Sequence, residues 1–182
     1  GGGQQWEVQV LDEPKTVNAF ALPGGKIGFY TGILAVAQTQ DQLAAVLGHE
    51  VSHVLARHSA ERVSEGMAQQ GLTQVVAGAS GIDPQLLGLA SNVFFTLPHS
   101  RTQESEADLM GLDLMSRAGF NPEQAPELWR NMAKASGGKA PAEFLSTHPS
   151  SDTRIQDLTN RLPTAKPLYD AARASGKQPR CS

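Results

Sequence analysis

Cysteine is nearly absent. Cys181, the penultimate residue of a 182-residue chain, is the only one. A lone cysteine makes no internal disulfide, and Cys181 lies too far along the chain from the histidines to be counted a metal ligand. Cysteine usage therefore leaves the redox compartment open. Also missing is any apolar run that would serve as a spanning helix or a secretory hydrophobic region. Residues 75 to 97 come nearest, but Gly81, Asp83 and Pro84 interrupt them. Basic clusters are lacking too. Lys and Arg number 15 against 18 Asp and Glu, the net charge is −3, and no stripe suits a nucleic-acid backbone. What remains is a globular chain, long enough to bury roughly 70% of its unfolded surface without disulfides. One domain is expected over residues 4–163, with a weakly structured tail over 164–182. Gly1-Gly2-Gly3 reads as a cut end, compatible with a removed signal or anchor.

Periodicity places the elements. Trp6 to Leu11 alternates as a strand does, Val17 to Leu22 is a second short apolar run, and Lys26 to Thr31 follows the Pro23-Gly24-Gly25 turn. Gly32 to Gln38 reads as a short apolar helix. The next helix runs from about Gln42 to Arg57, with Thr39 or Asp41 as its cap. A weaker helix is expected over 61–77 and another from Asp83 to Leu97, forming a packed hairpin or a lid. Ser100 to Ala118 is a clear helix: Ser100 caps it, Gln103 sits three residues on, and Gly119 ends it. Further helices are expected from Pro122 to Ala135 and from Ser151 to Leu162, with a flexible loop at 136–141. The fold class is α+β: a mostly helical domain with a small sheet beside the helix of residues 42–57.

That helix carries His49-Glu50-Val51-Ser52-His53, which reads H-E-x-x-H. Residues four apart on a helix lie about 40° apart in azimuth and about 6 Å apart along the axis. His49 and His53 can therefore grip one metal ion, with Glu50 at the edge of the same face as general base. The helix is otherwise apolar nearly all round, so it is buried on several sides. Histidines and a glutamate in such a helix need a reason to be there.

A catalytic zinc takes three protein ligands and a water. The helix starting at Ser100 offers Glu104, Glu106, Asp108 and Asp113. Positions 104 and 108 share a face with Ala107, Gly111 and Met115, a small apolar surface suited to close packing near Gly48. Carboxylates on a packing face are costly unless a cation neutralises them. Glu104 is therefore the expected third ligand. Asp108 is expected to accept the second ring N–H of a ligand histidine, fixing its tautomer. Glu106 and Asp113 read as solvated charges. His58, about 140° from His53, reads as exposed or capping, and His99 as structural.

These motifs occur in the order Asn18-Ala19-Phe20, Pro23-Gly24-Gly25, Leu47 to His53, Ser100-Arg101, Glu104 to Asp108, Thr147-His148-Pro149 and Arg154-Ile155. In that set the chain resembles the HtpX/CAAX prenyl endopeptidase-type gluzincins, metallopeptidase family forty-eight, and within them the soluble bacterial periplasmic branch. The resemblance implies one Zn2+ per chain and the same roles for Glu104 and Asp108. It places His148 near the metal, as an oxyanion donor or as a resting-state ligand. It makes Arg154 a residue that orients His148 or binds substrate carbonyls. It also implies a periplasmic or cell-envelope setting and a part in protein quality control.

The function expected is zinc-dependent endopeptidase hydrolysis of misfolded or envelope proteins, with Glu50 as base. An extended polypeptide substrate would lie along the sheet edge at Asn18, Ala19 and Phe20. The competing readings are a zinc-holding chaperone or assembly factor with little proteolysis, and a helical domain with an accidental H-E-x-x-H. No nucleic-acid partner and no membrane span are expected, and the oligomeric state is left open.

Overall fold

The computed structural model describes residues 5–58, 61, 64, 98–135, 143–149 and 153–181. The hairpin or lid expected over residues 61–97 and the loop at 136–141 fall outside the described residues, apart from residues 61 and 64.

Three strands form one sheet: β1 (Glu7–Leu11), β2 (Ala19–Leu22) and β3 (Lys26–Tyr30). Their order is β1-β3-β2, with β1 parallel and β2 antiparallel to β3. The Pro23-Gly24-Gly25 turn joins β2 to β3, and Gly24 and Gly25 take positive φ of 99° and 92°, which glycine alone adopts freely. The register puts Ala19, Ala21, Ile27 and Phe29 on one face, and all four are buried. A 3₁₀ turn (Thr31–Ala35) then leads into α1 (Gln40–Leu55). Thr39 caps α1, its hydroxyl accepting from the Gln42 N–H.

The remaining described helices are α2 (Arg101–Arg117), α3 (Gln124–Ala135), α4 (Glu143–Thr147) and α5 (Arg154–Ala174). α2 begins with a full capping box: Ser100 accepts from the Gln103 N–H, and the Gln103 side chain accepts from the Ser100 N–H. α1 and α2 form the most extensive contact between helices, and β2 is the strand that packs most against α1. Ile33, Val46, Leu112, Leu128, Met132, Phe144 and Leu158 centre the core. The molecule is thus a mostly helical α+β domain with a small sheet beside α1, as the sequence predicts.

The close approach of α1 and α2 depends on two glycines. A Cβ on Gly111 would meet the His49 nitrogen at 2.8 Å and the Gly48 carbonyl carbon at 2.9 Å. Only hydrogen fits there, so the small-residue face is what brings α2 onto the motif helix.

Two expectations change. The last helix does not stop at Leu162 but continues to Ala174, through Pro163 and Pro167. Both prolines lie on its exposed side, where water can serve the carbonyls that lose their N–H partner. Its buried residues Leu158, Ala165 and Ala172 recur every seven positions, so one stripe anchors it throughout. The segment after α5, expected to be weakly structured, is tied to α1. The Gln40 amide donates to the Pro179 carbonyl and accepts from the Cys181 N–H. The second change is α4, a short helix that leads into His148. Its Phe144 N–H donates to the Val17 carbonyl, pinning the segment beside the strand β2 extends from.

Candidate metal centre

α1 projects His49, Glu50 and His53 toward α2, and α2 answers with Glu104 and Asp108. All five are buried. His49 Nε2 stands 3.0 Å from His53 Nε2 and 3.0 Å from Glu104 Oε2, and His53 Nε2 stands 3.1 Å from Glu104 Oε1. His148 enters from the end of α4. Its Nδ1 is 2.7 Å from Glu104 Oε1 and 3.3 Å from His49 Nε2, and its Nε2 is 2.8 Å from Glu50 Oε1. One donor atom each from His49, His53, Glu104 and His148 lies within 4.8 Å of the other three.

These side chains fit a divalent metal on two counts. Donors about 2.0–2.1 Å from a tetrahedral ion are about 3.3–3.4 Å apart, close to the 3.0–3.1 Å among His49, His53 and Glu104. The second count is charge. Glu50, Glu104 and Asp108 are three buried carboxylates, with Arg154 the buried guanidinium beside them. Neutral imidazoles leave two negative charges, which a divalent cation would balance. Without one, protons must do so, and the shifts follow. At His49, burial opposes the cation, but Glu104 and Asp108 outweigh it and push the pKa up to about 10. His148 is likewise raised against burial by Glu50 and Glu104. Burial lowers His53 to about 4, with Glu104 opposing and His49 and His148 adding to it. Glu104 and Glu50 are held below the ordinary carboxylate range. Burial opposes this in both, but His49 and His148 prevail at Glu104, and His148, His53 and His49 at Glu50.

The surrounding groups hold this set in place. Asp108 Oδ1 is 2.9 Å from His49 Nδ1, near enough for an ion pair though off the line of a hydrogen bond. Arg154 donates from Nε to Asp108 Oδ2 at 2.7 Å and from Nη2 to Glu104 Oε2 at 2.5 Å. Its guanidinium lies 3.9 Å over the Trp129 ring, whose centroid is 5.5 Å from that of His49. Arg154 is 2% exposed, with Nε and Nη2 given to the two carboxylates and Nη1 buried without a hydrogen-bond partner among the described residues. The expectation that it orients His148 or reaches substrate carbonyls finds no contact here. Phe144 stacks on His148 at 4.3 Å, fixing the ring plane.

Of the other two histidines, His58 does not lie where the sequence put it. His58, expected on the surface, is 1% exposed, with Nδ1 2.9 Å from His53 Nδ1 and Nε2 3.0 Å from Glu106 Oε2. Glu106 is accordingly not merely a solvated charge. Asp113 pairs with Arg161 at 2.7 Å. His99 donates from Nδ1 to the Thr147 carbonyl and stacks on His53 at 3.8 Å. All five histidines of the chain thus converge on one cluster. Missed by sequence reasoning, besides the place of His58, are Trp129 and Phe144, whose aromatic faces carried no pattern to tell them from core residues.

At the substrate edge, Asn18 and Phe20 are half-buried and Ala19 is buried. β2 is an outer strand of the sheet. Asn18 gives its carbonyl to the Tyr30 N–H and its side-chain oxygen to the Ala19 N–H.

A helix bearing H-E-x-x-H, an acidic donor from a second helix and a small sheet alongside define a zincin-like metallopeptidase domain. The family model of Peptidase family M48 matches residues 2–162, and the chain belongs to that family. It is 45% identical over 164 residues to the protein named Mitochondrial metalloendopeptidase OMA1 from Schizosaccharomyces pombe, covering 89% of this chain and 48% of that one. It is 40% identical over 182 residues to the protein of that name from Saccharomyces cerevisiae, covering 95% and 52%. Similarity to the Beta-barrel assembly-enhancing protease of Escherichia coli is lower, 29% over 166 residues, covering 84% and 34%. The chain spans about half the length of the two yeast relatives. Their names correct the expectation of a periplasmic or cell-envelope protein. That expectation leaned on the missing spanning helices, and among the described residues no helix is long and apolar enough to cross a membrane. That feature does not specify a compartment.

Proposed function

We propose that this chain is the catalytic unit of a zinc-dependent endopeptidase, held within residues 4–163. The observation that carries the reading is the meeting of His49, His53 and Glu104 at 3.0–3.1 Å, with Glu50 beside them. The match of the family model to residues 2–162 supports the boundaries. His49, His53 and Glu104 would hold one Zn2+, and Asp108 would fix the tautomer of His49 through Nδ1. Zinc supplies Lewis acidity, which polarises a scissile carbonyl and makes water a nucleophile near neutral pH. Glu50, kept ionised by its histidine neighbours, takes the proton from that water on a carboxylate oxygen and passes it to the leaving amine. His148 bridges Glu104 and Glu50, so it stands where the water and carbonyl must come, as a resting-state plug. Arg154 would act through Glu104 and Asp108, holding both in register.

The substrate would be an extended polypeptide along β2. Asn18 turns its carbonyl to β3, so the alternation of an antiparallel pair turns the peptide groups of Ala19 and Ala21 to the open edge. The Asn18 side chain occupies the Ala19 N–H and leaves the Ala19 carbonyl facing outward. The relatives' names favour a mitochondrial setting, and protein quality control is the role in keeping with proteolysis there. Casein degradation by zinc-reconstituted protein, with and without chelator, tests the proposal. Chelator-sensitive cleavage is expected. One equivalent of zinc with no cleavage would favour the chaperone reading, and no zinc even after reconstitution would leave an accidental motif.

A further inference from the structure

His53 has its own orienting partner, and it is not a carboxylate on α2. α1 ends at Leu55, and Arg57 then takes a left-handed conformation with φ 60°. A non-glycine residue adopts that conformation only at a cost, and it folds the chain back so that His58 lies under His53 rather than 140° round the helix. The segment is held there: the Glu61 N–H donates to the Arg57 carbonyl, and the Gln103 amide donates to Glu61 Oε2 at 2.8 Å. Backbone strain retained at such a place asks for a purpose.

The two facing ring nitrogens, His53 Nδ1 and His58 Nδ1, are 2.9 Å apart. One must carry the proton and the other accept. The far nitrogen of His58 decides which, since Nε2 faces the Glu106 carboxylate at 3.0 Å. A carboxylate only accepts, so His58 must carry its proton on Nε2. Its Nδ1 is then a lone pair, and His53 must donate from Nδ1. The Nε2 of His53 is left unprotonated, facing His49 and Glu104.

We propose that Glu106 and His58 are positioning residues that set the tautomer of His53 and so make it a metal ligand. The chain Glu106–His58–His53 does for His53 what Asp108 does directly for His49. This rests on the zinc reading above. It assigns to Glu106, whose side chain is 51% exposed, control of a buried nitrogen two imidazoles away. The inserted histidine lets a half-exposed carboxylate act without being buried beside Glu104 and Asp108, where a further negative charge would be costly.

The test compares zinc affinity, by chelator competition, in wild-type protein and in Glu106→Gln, Glu106→Lys, His58→Gln and His58→Leu. Glutamine at 106 can still accept from His58 Nε2 through its amide oxygen, so a loss of only a few-fold is expected. An ammonium there can only donate. It pushes the His58 proton to Nδ1 and the His53 proton to Nε2, so a loss of about 10–100-fold is expected. Glutamine at 58 should retain more affinity than leucine, because its oxygen can accept from His53 Nδ1. The tautomers are read directly by long-range ¹⁵N–¹H imidazole spectra of the zinc-loaded protein. These should place the His58 proton on Nε2. A His58 proton on Nδ1 overturns the proposal, as does Glu106→Lys binding zinc as tightly as wild type. Wild-type protein that binds no zinc would overturn the metal-site reading itself, and the proposal with it. Because Glu106 is half-exposed, its variants keep the proposal falsifiable even where His58→Leu does not fold.

Discussion

Replacing Gly111 with alanine should uncouple stability from metal binding. A Cβ at 111 would lie 2.8 Å from the His49 nitrogen, 2.9 Å from the Gly48 carbonyl carbon and 3.0 Å from the His49 Cα. All three are backbone atoms, so no side chain can swing aside. Ordinary contact begins near 3.4 Å, so α1 and α2 must part by roughly 0.6 Å at this level. Overpacking of this kind costs about 1–3 kcal/mol. Alanine also favours a helix over glycine by about 0.8–1.0 kcal/mol, which offsets part of that cost. The expected net loss is about 1 kcal/mol, read by urea denaturation of chelator-treated protein. Zinc affinity has no such offset. α1 carries His49 and His53 and α2 carries Glu104 and Asp108, and a site of this type tolerates about 0.5 Å of misplacement. Affinity should fall about tenfold or more, an effect larger than the stability change alone would give. Gly48→Ala makes one contact under 3.4 Å, 3.0 Å from the Gly111 oxygen, and should be milder in both assays. The reasoning fails if Gly111→Ala keeps wild-type zinc affinity, or if Gly48→Ala proves the worse of the two.

Asp108→Ala should weaken zinc binding or activity by about 10–100-fold without unfolding the protein; unchanged values would show that the 2.9 Å approach to His49 does not matter. His148→Ala should keep zinc and raise casein turnover by clearing the space beside Glu50, whereas a fall of about 10²-fold or more would make His148 an oxyanion donor instead. Zinc binding at pH 7 should release at least one proton, because His49, raised to about 10 by Glu104 and Asp108, must lose its proton to become a ligand. Calorimetry in buffers of different ionisation enthalpy counts that proton, and a count of zero would contradict the assignment. The sign for metal-free protein is the reverse. His49 is raised, so its pairing contributes fully below about pH 6.5 and is lost as pH rises toward about 10. The Tm of chelator-treated protein should fall over that range.

Much of the site could be read from the chain because it is built from helical spacing. His49 and His53 are one turn apart, as are Glu104 and Asp108, and the small residues Ala107 and Gly111 mark the face where the two helices meet. Capping chemistry placed the start of α2 at Ser100. What could not be read depends on where regular periodicity stops. A helix continued through residue 58 sets His58 on the wrong side. The left-handed residue that breaks the helix is Arg57, with no glycine to announce it. Proline usually stops a helix, so the pattern ends α5 at Leu162, but tertiary anchoring at Ala165 and Ala172 overrides that tendency. Arg154 was known only by resemblance. Its bonds to Glu104 and Asp108 join elements some fifty residues apart, which no local pattern encodes.

The most direct measurement is zinc-edge anomalous scattering from crystals of the Glu50→Gln variant grown with zinc and a bound peptide. One anomalous peak is expected, about 2.0–2.1 Å from His49 Nε2 and His53 Nε2 and bonded to Glu104. The peptide should run along β2 with its scissile carbonyl at the metal. A peak held by Glu106, or zinc bound away from α1, would contradict the account.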